Sequence, residues 1–121
     1  MMKKIVLTLM AMMSMTLAFA DGEKVTVANK ERLYDMSVKP YRLAAFLELD
    51  LEQRDAVEMI HGRFCDDMMK VARASEEKQR KMFEKALNRD LGYMRYVLDR
   101  QQYRKYLQLL NVTFQNRGLI E

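Results

Sequence analysis

The chain has 121 residues, half of them apolar and 31% charged, with a formal net charge of +4. That is one domain's length in a globular composition, which excludes both a pair of full domains and a disordered chain. One Pro and four Gly are too few breakers for an all-β fold of many tight turns, and a single Cys excludes any intramolecular disulfide.

At the start, Lys3 and Lys4 precede an apolar run from Ile5 to Phe19, broken only by Thr8, Ser14 and Thr16, and Ala18-Phe19-Ala20 has the A-x-A form of a cleavage site. The pattern predicts a cleaved signal peptide over residues 1–20 rather than a buried N-terminal helix, because no helix cap accompanies it and polar composition begins abruptly at Asp21. The run falls short of the roughly 20 residues that a membrane-spanning helix needs. No Cys stands at the cleavage point, so neither a lipid anchor nor another stable membrane anchor is indicated. The expectation is an exported, periplasmic protein. Removing the signal takes Lys3 and Lys4 with it, lowers the net charge from +4 to +2 and discards six of the twelve Met. Little electrostatic support for nucleic-acid binding is left.

Residues 21–36 are polar and show no sustained helical period; Val25-Thr26-Val27 is the only alternation. An irregular or mobile arm is expected there, with at most one short, unpartnered strand. A helical domain over residues 37–121 follows. Pro40 suits a first helical turn, and Tyr41, Leu43, Ala44, Ala45, Phe46 and Leu47 predict a short helix, apolar on most sides and buried.

Asp50 and Gln53 form the D-x-x-Q version of a capping box, opening a second helix that runs to about Arg73. Its stripe is Val57, Ile60, Phe64, Met68 and Val71 with Ala56. Ser75 is the expected cap of a third helix, with Glu76 and Glu77 favourable near its N-terminal dipole and a stripe of Gln79, Phe83, Ala86, Leu87, Leu91, Met94 and Leu98. The short Ala74-Ser75 junction predicts an antiparallel hairpin. Asp99 with Gln102 repeats the cap, Tyr103, Tyr106, Leu107, Leu110 and Phe114 give a fourth stripe, and Gly118 is placed for the left-handed residue after it. The fold class is therefore all-α, of about four helices, with a long helical hairpin at its centre.

Leu49-Asp50-Leu51-Glu52-Gln53 and Leu98-Asp99-Arg100-Gln101-Gln102 share the form L-D-x-x-Q, 49 residues apart. In each, Leu49 or Leu98 ends an apolar segment, Asp50 or Asp99 caps, and Gln53 or Gln102 closes the box. Together with the signal peptide and a small all-α chain, this doubled box resembles the Spy/CpxP-like periplasmic proteins, over about residues 43–115. Their motif is L-T-x-x-Q, and Asp replaces its Thr in both copies here. The resemblance implies a homodimer of helical hairpins forming a shallow cradle. It also implies either ATP-independent binding of unfolded proteins on a basic, partly apolar face, or control of an envelope-stress sensor; some relatives bind metals.

Two clusters carry candidate chemistry. Arg95, Tyr96, Arg100, Tyr103, Arg104, Lys105 and Tyr106 are the densest basic and aromatic group. Arg95, Tyr96, Arg100, Arg104 and Lys105 are the candidate surface for a protein partner, since such residues combine long-range attraction with adaptable apolar contact; the competing reading makes Tyr103 and Tyr106 core. His61 and Cys65 are helical neighbours, with Met68 and Met69 a turn further on. They form the alternative, a soft-metal site in a metal-binding or metal-sensing protein. A Cys–His nucleophile lacks an orienting third group, and an intermolecular disulfide through Cys65 is chemically allowed in an oxidising compartment. No glycine-rich phosphate loop or hydrolase motif is present. The expectation is a non-enzymatic interaction protein that needs no cofactor.

Overall fold

The computed structural model describes residues 27–120. The signal-peptide segment and the first part of the expected arm lie outside them. Five helices follow in chain order among the described residues: α1 (Val27–Leu33), α2 (Pro40–Leu47), α3 (Leu51–Arg73), α4 (Glu76–Val97) and α5 (Arg100–Asn116). The described chain is all-α, as composition and periodicity imply.

The long hairpin is α3 against α4. Its antiparallel register is marked at both ends: the Gln79 side chain donates to the Val71 carbonyl at 3.1 Å, and the Gln53 side chain donates to the Val97 carbonyl at 3.0 Å. Gln79 sits on the apolar stripe of α4 because its amide donates to carbonyls of the last turn of α3 across the turn. Helix α5 lies along the hairpin and inserts Tyr103, Tyr106, Leu110 and Phe114 into the core. Phe83 and Phe114 meet edge-on with ring centroids 5.2 Å apart. Each fully buried aromatic of this set (Phe64, Phe83, Phe114) contributes roughly 1.5–3 kcal/mol of burial.

The helix ends follow local chemistry. Helix α5 closes with a Schellman motif: Gly118 has φ 73°, its N–H reaches Gln115, and the N–H of buried Leu119 reaches Phe114. Helix α2 closes in the same way, with Glu48 in the left-handed position at φ 55° and the Leu49 N–H on Ala44. Ser75 occupies the cap position of α4 without a side-chain cap hydrogen bond; the backbone carbonyl of Ser75 receives Lys78 and Gln79 instead.

Two expectations are corrected. Residues 27–33 form helix α1, where an irregular arm was expected. Helix α1 packs on α3, Tyr34 and Met36 behind it are buried, and Arg117 donates to the carbonyls of Arg32 and Asp35, both at 2.6 Å. The segment has no strong stripe of its own, and tertiary contact supplies what periodicity does not announce. Helix α2 is one-sided rather than buried all round: Leu43, Ala44 and Leu47 face inward, while Tyr41 and Phe46 are exposed. Only one of its faces meets the rest of the domain.

Candidate functional site

The two L-D-x-x-Q boxes converge. Within each, the Asp carboxylate accepts the Gln backbone N–H at 2.8 Å and the Gln side-chain carbonyl accepts the Asp backbone N–H at 3.0 Å. The glutamines then face one another. Gln53 Nε2 donates to Gln102 Oε1 at 2.7 Å, and Gln102 Nε2 returns the bond to Gln53 Oε1 at 3.0 Å. Each amide spends its remaining donor on a carbonyl ahead of the other box: Gln53 on Val97, and Gln102 on Glu48 at 3.2 Å. Val97 and Glu48 occupy equivalent places, each two residues before the Asp of its box. The result is a local two-fold arrangement in which both side-chain amides use two donors and two acceptor positions, their full capacity. Buried Leu49 and Leu98 lie beside it. The repeat is thus a joint between helix starts.

That joint brings the start of α3, the end of α4 and the start of α5 to one end of the molecule. Tyr96 is 93% exposed and Leu51 79% exposed. Arg95, Arg100 and Arg104 are exposed at the same end. The Arg95 guanidinium lies 5.8 Å from the centroid of the Tyr103 ring, and Lys105 pairs with Glu48 at 3.0 Å. Tyr103 and Tyr106 are buried. Of the basic and aromatic cluster, the two tyrosines are therefore core, while the cations and Tyr96 form surface. Met59 and Tyr93, further along the α3–α4 hairpin, are also exposed.

His61 and Cys65 do face each other, with Nδ1 and Sγ 3.6 Å apart, and both line an open cleft of about 620 Å³ between the residue 37–49 region and α3. Burial lowers the His61 pKa and favours the neutral ring; burial followed by the charges of Asp35, Asp90 and Asp66 pushes the Cys65 thiol up to about 11. A protonated thiol is a poor nucleophile. Met68 is fully buried and Met69 half-buried, and neither lines that cleft. Among the described residues, no three His, Cys, Asp or Glu side chains gather as a metal-binding group.

Sequence reasoning passed over Asp90. It is 3% exposed, and Tyr106 on α5 donates to its Oδ2 at 2.5 Å. Burial raises the Asp90 pKa to about 7 against the pull of the Tyr106 hydrogen bond, and burial holds the Tyr106 phenol well above its ordinary value. The signal was present: Phe83, Ala86, Leu87, Asp90, Leu91 and Met94 share one helical face, and one of them is a carboxylate.

In comparisons with known proteins, the chain matches no family model, no curated protein and no solved structure. No described helix is long and apolar enough to cross a membrane. The functional reading therefore rests on the residues themselves.

Proposed function

We propose that this is an exported helical interaction protein that binds non-native or flexible segments of other proteins without ATP, as Spy/CpxP-like proteins do. One observation carries the reading. Tyr96 and Leu51, two of the most exposed large apolar side chains, share the joint end of the molecule with Arg95, Arg100 and Arg104. An apolar surface cluster rimmed by polar side chains is a mark of a protein interaction site. Arg and aromatic side chains are the enriched chemistry of protein interfaces. The L-D-x-x-Q joint supports the same reading by holding three helix ends in fixed relation.

The test is suppression of aggregation of a denatured client by the purified protein at low and high salt, with Tyr96→Ser and Arg100→Ser/Arg104→Ser variants beside the parent. Suppression that weakens in salt and in both variants supports the proposal, and no suppression at several-fold excess overturns it. A reporter fusion to the first 20 residues tests export, and static light scattering tests the homodimer that the cradle arrangement requires.

A second reading is a soft-metal protein, supported by the 3.6 Å approach of His61 Nδ1 to Cys65 Sγ beside an open cleft. Cu(I) titration of the parent against His61→Ala and Cys65→Ser decides it: equal uptake by all three removes the site.

A further inference from the structure

We propose that the open face of the α3–α4 hairpin is a docking groove for an acidic amphipathic helix of a partner protein. Two adjoining hollows of about 180 and 290 Å³ form the groove, and α3 and α4 alone line them. Both hollows are bounded by Asp67, Ala86 and Arg89, so one runs into the other. Along α3 the groove extends from Met59 to Lys70, a span of roughly 16 Å or about three helical turns. Helices α1, α2 and α5 contribute nothing to its walls. The furrow between two packed antiparallel helices is where a further helix adds to a bundle.

The chemistry of the walls names the occupant. At one end stand Met59 and Tyr93, 75% and 51% exposed, and at the other half-buried Met82. Apolar points spaced along a furrow suit a helix that presents side chains at i, i+3 or i+4, and i+7. The charges are one-sided. Arg89 pairs with Asp67 across the groove. Arg63, Lys70 and Lys85 line it without an ion-pair partner among the described residues. Asp90 beneath the floor is buried, and burial raises its pKa to about 7, which keeps its negative charge fractional. Carboxylates flanking an apolar stripe answer both features at once. A second copy seated face to face on this surface would set cations against cations. Residues 1–26 of this chain carry Lys3, Lys4 and Lys24 against Asp21 and Glu23, the wrong sign for the site. A flat lipid surface would reach the rim but not the floor of a furrow. The proposal does not depend on the client-binding reading, which rests on Leu51, Tyr96 and the arginines of the joint end.

The test is fluorescence anisotropy of a labelled peptide of about 18 residues, with Leu at the helical period and Glu on its remaining face. The purified protein is titrated into it at low and high salt. A scrambled peptide of the same composition keeps the charge but loses the stripe, and a third peptide has Lys in place of Glu. The acidic amphipathic peptide is expected to saturate one site, to gain helical circular dichroism on binding, and to bind about tenfold more tightly than the scrambled one. Arg63→Glu/Lys85→Glu and Met59→Ser/Tyr93→Ser should each weaken it by about tenfold. All four residues are exposed, so these variants keep the fold. Arg100→Ser/Arg104→Ser, at the joint end, should leave peptide binding unchanged, which tells a failure here from a failure of client binding. Equal binding of the scrambled peptide overturns the proposal in favour of charge attraction without a groove, and preference for the Lys peptide overturns it outright. Binding to anionic phospholipid vesicles but not to the peptide makes the face a membrane surface instead. Self-association that Arg63→Glu/Lys85→Glu dissolves makes the occupant a second copy, and no saturable binding of the acidic peptide removes the site.

Discussion

Two polar assemblies, one half-buried and one buried, hold this protein's helices together, and they are built to opposite rules. At the helix joint, Gln53 and Gln102 fill every hydrogen-bonding position of their amides, with each other, with their own Asp backbones and with Val97 and Glu48. Halfway along the hairpin, Asp90 ties α4 to α5 through Tyr106 and leaves one oxygen unpaired. A fully connected network of neutral groups adds specificity at little cost, because nothing buried is left wanting. A half-connected carboxylate stores unfavourable free energy in the fold, which pH or mutation can release.

The largest expected effect is at Asp90. Its pKa is raised by burial to about 7 from an ordinary 3.8, so the folded chain keeps a proton that the unfolded chain releases across that interval. Its contribution to stability is therefore fully present below about pH 4 and is lost as pH rises through about 7. The total change is on the order of 4 kcal/mol. Denaturant unfolding at pH 5 and pH 8 should show Asp90→Asn flattening this fall relative to the parent. Asp35, whose pKa its hydrogen bonds from Ser37 lower, has the opposite sign: its contribution is present at neutral pH and lost in acid. A parent-against-variant difference separates the two.

Next in size is the joint. Gln53→Ala and Gln102→Ala should each cost about 2 kcal/mol, since each strands its partner amide and a backbone carbonyl. The double variant should cost less than the sum, with a coupling of about 1 kcal/mol in a double-mutant cycle. Strict additivity would mean that the amide pair does not form in solution.

A smaller gain is expected from Glu48→Gly beside that joint. The left-handed conformation at φ 55° is unfavourable for Glu and free for Gly, which is worth about 1 kcal/mol before the exposed pair with Lys105 is subtracted. A melting temperature below the parent's would show that the pair outweighs the backbone. The smallest effect belongs to the surface: Arg73→Ala, which breaks the exposed ion pair with Glu31, should change stability by at most about 0.5 kcal/mol.

The L-D-x-x-Q boxes were legible as caps because a capping box is a contact over three residues, and any chain carrying it can form it alone. The stripes of α3, α4 and α5 were legible for the same kind of reason. Val57, Phe64, Met68 and Val71, or Tyr103, Tyr106, Leu110 and Phe114, recur at the helical period and so predict their own burial. Helix α1 was not legible: its residues show no strong stripe, and its helicity depends on contact with α3. The cluster at residues 95–106 mixed two fates, because Tyr103 and Tyr106 look alike in sequence to exposed Tyr96 until the position of α5 assigns each a side.

By itself the sequence determined an all-α chain, the places where the long helices begin and end, and which side of each is apolar. Those properties arise from contacts between residues close along the chain. Only the tertiary structure decided that Gln53 meets Gln102 across 49 residues, that Asp90 rather than any other acidic residue among the described ones enters the core, and that Leu51 and Tyr96 stay in water at one end. These depend on how three helices pack. A side chain's local pattern states which face it occupies, but not what that face will meet.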